Sequence, residues 1–189
     1  FIKVKRKQIR RSAFAHCLLI DMKKITLLSD NHSYFDAELN LHVDDADEIW
    51  HAGDIGDLSS IQTFREKTIF RAVCGNIDDA SVKELFPLNA IFHCEGIKVL
   101  MTHIGGYPSK YTSRVSDLIA AEKPNLYICG HSHICKVMQD RKNNLLHMNP
   151  GAYGHHGFHK IRTLLKFEIS NGKIQNLHAV ELGLRGHIL

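Results

Sequence analysis

The sequence predicts an α/β fold in which two packed mixed β-sheets are flanked by helices, and three observations predict it. From Lys24 onward, short apolar runs alternate with longer amphipathic or polar segments, the pattern of strands separated by helices. Two of the intervening segments carry apolar residues at helical spacing. Late in the chain, two further runs flank Asn171-Gly172, a dipeptide that favours the left-handed turn of a β-hairpin.

Ile25–Ser29 reads as a first buried strand, Glu48–His51 as a second and Ile69–Cys74 as a third, with Leu58–Lys67 spaced as a helix between the last two. That is a β-α-β alternation. Val99–Thr102 and Leu126–Cys129 are two more apolar strands. Between them Val115, Leu118, Ile119 and Glu122 give Ser113–Lys123 helical spacing, which Pro124 stops. Arg162–Ser170 and Ile174–Leu182 form the hairpin around Asn171-Gly172. There is no internal repeat, low-complexity tract or linker, so residues 22–189 read as one domain.

Composition narrows the function. With 189 residues, 44% of them hydrophobic and 23% charged, the chain is long enough to bury a core of its own. No apolar stretch approaches the roughly 18 to 20 residues that span a bilayer, and no run before residue 30 has the apolar core of a secretory signal. The five cysteines, Cys17, Cys74, Cys94, Cys129 and Cys135, are odd in number and lack a C-x-x-C pair, which points to a reduced, cytoplasmic setting. The net charge of +4 is concentrated: residues 1–21 hold Lys3, Lys5, Arg6, Lys7, Arg10 and Arg11 against Asp21 alone. The rest carries 18 basic and 19 acidic residues, a net −1 that gives no electrostatic argument for nucleic-acid binding. The basic segment stops before Met22 and is expected to lie outside the fold, as an upstream extension or a mis-set start. An organelle transit segment and a basic arm for nucleic acid or anionic lipid are the alternatives.

The residues at the strand ends are the most informative feature. Ile25–Ser29 runs into Asp30-Asn31-His32, Glu48–His51 into Gly53-Asp54 one residue on, and Ile69–Cys74 into Gly75-Asn76-Ile77-Asp78. The next two strands end in Thr102-His103 and Gly130-His131-Ser132-His133. In open α/β sheets the carboxyl ends of the strands form the ligand crevice, so these groups should converge. Asp30, Asp54 and Asn76 offer oxygen; His32, His103, His131 and His133 offer imidazole nitrogen; none offers thiolate. That mixture suits Mn²⁺, with Fe²⁺, Zn²⁺ or Ni²⁺ as alternatives, and disfavours a structural zinc cage. Seven side chains exceed what one such ion uses if water must also bind, whereas two divalent ions sharing Asp54 use them fully.

Asp-x-His, Gly-Asp, Gly-Asn-x-Asp, a lone His, Gly-His-x-His and then Asn149-Pro150-Gly151, in this order, resemble the calcineurin-like metallophosphoesterase superfamily, closest to its small single-domain bacterial and archaeal phosphodiesterase branch. The resemblance covers about residues 24 to 182. It implies a four-layer α/β/β/α sandwich and a phosphoesterase, a phosphodiesterase above all, that attacks a small phosphoester through a hydroxide bridging two ions. One ion would be held by Asp30, His32, His133 and the shared Asp54, the other by Asp54, Asn76, His103 and His131. Two cations about 3.5 to 4 Å apart acidify water and offset phosphoryl charge. The partner expected is the small substrate, with nucleic acid only as a substrate fragment and no membrane; a homo-oligomer stays open. The alternative is a catalytically weak or inactive scaffold, like the retromer subunit that keeps this fold while losing ligands.

Three departures from the family pattern bear on mechanism. Larger members place a histidine after Gly-Asn, where it is thought to protonate the leaving group; here that slot is Ile77, and Asp78 is the remaining catalytic candidate, for proton transfer or for orienting a ligand. Gly53-Asp54-Ile55-Gly56-Asp57-Leu58 lacks the arginine of Gly-Asp-x-x-Asp-Arg-Gly, which disfavours protein phosphatase activity. Where many small members carry His-Gly-His, this chain has His103-Ile104-Gly105-Gly106. No Arg or Lys cluster falls beside the ligand motifs. His51 reads either as a hydrogen-bond partner of a ligand or as a structural residue. His155, His156 and His159 fit a substrate-facing loop and a solvated turn equally, and Tyr107, Tyr111 and Cys135 read as packing residues.

Overall fold

A computed structural model describes residues 22–186, so the expectations for residues 1–21 and for Cys17 lie outside the described residues. In chain order the elements are β1 (Met22–Leu28), α1 (Asn40–Val43), β2 (Glu48–His51), α2 (Gln62–Lys67), β3 (Ile69–Ala72), α3 (Ala80–Leu85), β4 (Asn89–Cys94) and β5 (Ile97–Thr102). They continue with β6 (Gly106–Tyr107), β7 (Lys110–Tyr111), α4 (Ser113–Glu122), β8 (Leu126–Ile128), β9 (Cys135–Asp140), β10 (Leu145–Pro150), β11 (Ile161–Ser170) and β12 (Lys173–Leu184). Two mixed five-stranded sheets result, ordered β12-β11-β1-β2-β3 and β4-β5-β8-β10-β9, with β6 and β7 as a separate short hairpin. Each sheet has a parallel trio, β1-β2-β3 in one and β5-β8-β10 in the other, extended by antiparallel strands. The parallel trios aim their carboxyl ends the same way within each sheet, which prepares a crevice for the loops that leave them.

The strands are apolar on both faces because both faces are covered. Ile25 and Leu27 of β1, Trp50 of β2, Val99 and Met101 of β5, Ile128 of β8 and Phe167 of β11 meet in the layer between the sheets. The intervening residues turn outward: Leu28 and Ile49 pack under Phe64 of α2 and Val82 of α3, and Leu100 packs under Val115 and Ile119 of α4. Trp50 is fully buried, lies edge-on to Phe92 at 5.0 Å and donates its indole N–H to Glu48 at 2.9 Å. Glu48, itself buried, takes a second hydrogen bond from Arg71 at 2.7 Å, so its charge is compensated.

Most expected strands are present with ends moved by a few residues. β1 begins three residues early because Met22 pairs with Ser170 of β11, and β3 ends at Ala72 because the Cys74 N–H leaves the sheet for the Pro87 carbonyl. The segment expected to be one helix, Leu58–Lys67, is a 3-10 turn over Leu58–Ile61 and then α2. α4 stops as expected before Pro124, with Lys123 in the left-handed conformation at φ 48°. Unexpected elements are α1, α3, the β4–β5 hairpin around Glu95-Gly96, the short β6–β7 hairpin, and β9 with β10.

Trp50 is the single tryptophan, so its fluorescence reports global unfolding. Leu27→Ala, a fully buried truncation between the sheets, is expected to lower stability by about 2 to 5 kcal/mol in a urea titration followed at that residue. A loss under about 1 kcal/mol would mean that Leu27 does not lie in the shared core.

Candidate metal centre

All seven expected ligands lie just past the carboxyl ends of strands: Asp30 and His32 after β1, Asp54 after β2, Asn76 after β3, His103 after β5, and His131 and His133 after β8. Six of them gather into two groups of three, Asp30 with His32 and His133, and Asp54 with His103 and His131. Within each group the ligand atoms all lie within 4.8 Å of one another. Asp54 faces both groups. Its Oδ2 is 3.6 Å from His32 Nε2 and its Oδ1 is 3.1 Å from His103 Nε2. Asp30 Oδ1 lies 3.2 Å from His133 Nε2 and 3.8 Å from His103 Nε2, closing the ring of contacts. Asn76 stands on the wall of the adjoining cavity together with His103.

The imidazoles are set to present lone pairs to this centre. His103 Nδ1 lies 2.8 Å from the Ala52 carbonyl, which can only accept, so Nδ1 carries the proton and Nε2 faces Asp54. His133 is oriented through a second histidine. His159 Nε2 donates to the Gly154 carbonyl at 3.1 Å, and its Nδ1 therefore accepts from His133 Nδ1 at 3.3 Å, leaving His133 Nε2 toward Asp30. Burial lowers the pKa of His159 and favours the neutral form this chain of bonds requires.

The donor set fits divalent cations. Asp30 and Asp54 are buried, and the Nε2 atoms of His32 and His103 are buried without a hydrogen-bond donor or acceptor of their own. Burial works to lower the basicity of His103, but the Asp54 carboxylate 3.1 Å away and the charge of Asp30 outweigh it and raise the pKa. Burial likewise works to raise Asp54, and the contacts with His103 outweigh it and keep the carboxyl below its usual range. Opposed carboxylate oxygens and imidazole lone pairs attract a positive charge between them, and metal cations satisfy several such pairs at once.

The backbone here is strained. Asp30 (φ 56°), His32 (48°), Asp54 (55°), His131 (68°) and His133 (58°) all occupy the left-handed region, which costs non-glycine residues of order 1 to 3 kcal/mol each. Neighbouring loops hold them there: Asp30 N–H donates to the Gly53 carbonyl at 3.0 Å and His32 N–H to the Asp54 carbonyl at 3.1 Å. Asp78 accepts from Gly56 N–H through one oxygen and from Gly75 N–H through the other, both at 2.7 Å, and so ties the Asp54 loop to the Asn76 loop. Asn149, buried in the Asn-Pro-Gly turn at the end of β10, donates to the Gly130 carbonyl at 2.8 Å and holds the His131–His133 loop. Gly75 is required for space: a Cβ there would overlap the Asp54 carboxylate.

Both Asp78 oxygens accept from backbone amides, so it braces the turns that carry Asp54 and Asn76. His51 is fully buried, is held neutral by burial with a pKa near 3, and accepts from Gly53 N–H at 3.2 Å, so it supports the loop backbone rather than a ligand side chain. The 155–159 loop is not a solvated turn throughout: His156 stacks on His32 at 4.6 Å and His159 orients His133, while His155 packs on Tyr34. Tyr107 bonds Ser132, and Tyr111 packs on Tyr127. Ile77 is 44% exposed, and its N–H donates to Asp54 Oδ1 at 3.1 Å. No Arg or Lys cluster flanks the ligand motifs in the sequence, yet a cavity of about 440 Å³ beside Asn76 and His103 is lined by Lys83 and Arg114. Arg114 lies on α4, which packs over β5, and Lys83 on α3, which packs over the β1–β2 face, so the two share a cavity wall only in the folded chain.

Gly75→Ala is expected to weaken Mn²⁺ binding by about 10- to 100-fold, the usual cost of disturbing a residue that supports a ligand. Calorimetric titration checks this, and an unchanged affinity would show that the Asp54 carboxylate can move aside without cost.

The family model for the calcineurin-like phosphoesterase superfamily domain matches residues 22–172. A search of curated proteins finds no match. Among solved structures, a predicted phosphoesterase from Streptococcus pneumoniae superposes with TM-score 0.61 at 17% identity, over 86% of this chain and 99% of that one. An archaeal phosphodiesterase gives 0.60 at 19% identity over 84% and 99%. Vps29 from Entamoeba histolytica, in a crystal with Zn²⁺, gives 0.60 at 13% identity over 84% and 98%. At these identities the structural likeness speaks for the fold, whereas the family match runs from β1 to the end of β11 and includes every candidate ligand: the chain belongs to the calcineurin-like phosphoesterase superfamily.

Proposed function

We propose that the protein is a metal-dependent phosphodiesterase acting on small phosphoesters with two divalent cations, Mn²⁺ foremost, in the cytoplasm. One observation carries the reading: Asp54 directs one oxygen to each of two three-ligand groups, as a carboxylate shared between two cations must. Asp30, His32 and His133 would hold one cation, Asn76, His103 and His131 the other, and Asp54 both. When bound, the pair supplies the Lewis acidity that activates water and offsets phosphoryl charge for in-line displacement. The chain's own residues do the positioning. Ala52 and His159 fix the tautomers of His103 and His133, and Asp78 sets the separation of the Asp54 and Asn76 loops.

Ile77 cannot donate a proton, so the departing oxygen has no acid at that slot. The scaffold alternative predicts eroded ligands, and none of the seven is replaced. No helix among the described residues is long and apolar enough to cross a membrane. Cys74, Cys94, Cys129 and Cys135 are free thiols, which suits a reducing compartment. A monoesterase is the second reading, favoured by Lys83 and Arg114 in the cavity. A panel of diesters and monoesters with the Mn²⁺-loaded protein separates the two.

Chelation is expected to abolish turnover and Mn²⁺ to restore it best. Asp54→Asn should lose both metals and lower kcat more than Asn76→Ala, which touches one ion only. Full metal content and near-normal kcat in Asp54→Asn would place the bridge elsewhere.

With no acid at position 77, kcat should fall steeply as leaving-group pKa rises. Nitrophenyl diesters should exceed simple alkyl diesters by at least the about 10² to 10⁴ that general acid catalysis normally supplies. A flat dependence, with chemistry rate-limiting, would mean that another residue donates the proton.

A further inference from the structure

The cavity beside the metal centre has features that the phosphoryl chemistry does not use. It encloses about 440 Å³, within the range of small-molecule sites, and opens past Asn76 and His103. Ile104 and Leu88 give it apolar walls although they are 38% and 54% exposed, so apolar surface is left uncovered next to the ligands. Arg114 and Lys83 add two positive charges to the same wall.

Arg114 is held in place by neutral acceptors. Its guanidinium donates to Asn89 Oδ1, to Thr102 Oγ1 at 3.1 Å and to the Ile104 carbonyl at 2.8 Å, so it is anchored on both sides of His103. An arginine has five N–H donors, and these bonds use three, leaving two. Among the described residues no carboxylate lies within ion-pair distance of Arg114 or Lys83; the pairs formed involve Lys67, Arg71, Lys98, Arg162 and Lys166. The acid closest in sequence to Lys83 on its N-terminal side, Asp79, is engaged as the cap of α3, accepting from Ser81 and Val82 N–H. A pre-positioned guanidinium with unused donors and no counter-ion, on the wall of an apolar cavity, is a recognition site for an anion borne on an apolar group.

We propose that this cavity binds an ester substituent that is apolar and carries a negative charge of its own, a carboxylate or second phosphate, with Arg114 and Lys83 as the specificity-determining residues. The proposal rests on the phosphoesterase reading of the metal centre and adds the class of substrate: phosphoesters whose substituent is both apolar and anionic.

The test is calorimetric titration of the Mn²⁺-loaded protein with phenyl phosphate and with 3-carboxyphenyl phosphate, in the wild type and in Arg114→Gln, Arg114→Lys, Lys83→Gln and the Arg114→Gln/Lys83→Gln double variant. The wild type is expected to bind the carboxylated compound about tenfold or more tightly, the yield of one charge-assisted hydrogen bond in a partly open site. That preference should fall below about threefold in the double variant and survive in part in Arg114→Lys. Equal affinities in the wild type would overturn the proposal, as would a preference that persists in the double variant. Loss of phenyl phosphate affinity as steep as that of its carboxylated partner would also overturn it, because the two residues would then grip the phosphoryl group. If Arg114→Gln loosens the fold, seen in the Trp50 fluorescence, Lys83→Gln on the exposed face of α3 still decides: a preference reduced about threefold supports the site and an unchanged one refutes it. Absence of phosphoester turnover alongside an intact binding preference would sink the phosphodiesterase reading alone.

Discussion

Two carboxylates, Asp30 and Asp54, lie almost without solvent at the mouth between two sheets, within 3.1 to 3.8 Å of three imidazole nitrogens. Such a cluster is costly unless positive charge is supplied, since a buried carboxylate has lost its water and its neighbour repels it. The surrounding structure answers to this constraint. The imidazoles present lone pairs because backbone carbonyls, at Ala52 directly and at Gly154 through His159, have claimed their protons. The fold itself thus gathers buried carboxylates and imidazole lone pairs into an electrostatic deficit that a cation would satisfy.

Holding that cluster together requires backbone that an isolated peptide would avoid. Five of the ligands sit at positive φ, together costing of order 5 to 15 kcal/mol, comparable with the whole stability of a domain. That strain is sustained by two well-packed sheets and by cross-links between loops distant in sequence: Asp78 between Gly56 and Gly75, Asn149 onto Gly130, and Asp30 N–H onto Gly53. Both Asp78 oxygens and both ends of the Asn149 amide take part in these links.

The chemistry then divides between the two sides of the centre. On the His133 side, His156 and His159 cover the ligands with imidazole. On the His103 side the cavity wall carries Ile104, Leu88, Lys83 and Arg114, and Ile77, two residues from the cavity-lining Gly75, is exposed. The proposed anion-binding wall is compatible with the absence of a proton donor at position 77: an activated substituent would depart without acid help while its own charge positions it.

The sequence by itself picked out the candidate ligand residues and the strands that carry them. Each ligand lies within a few residues of the strand that aims it, and a short apolar run ending in Gly, Asp, Asn or His is a local signal. The same holds for the Asn171-Gly172 hairpin and for the end of α4 before Pro124. The tertiary structure decided what depends on partners far along the chain. β4 is half exposed and becomes a strand only by pairing with β5, and β10 carries buried His147, Asn149 and Pro150, which break the apolar pattern until β8 and β9 flank it. His159, bonded to His133, and Arg114, bonded to Asn89, acquire their roles in the same way. Hydrogen bonds and charges act over a few ångströms of space, and only the packing of the two sheets brings residues so far apart in the chain within that range.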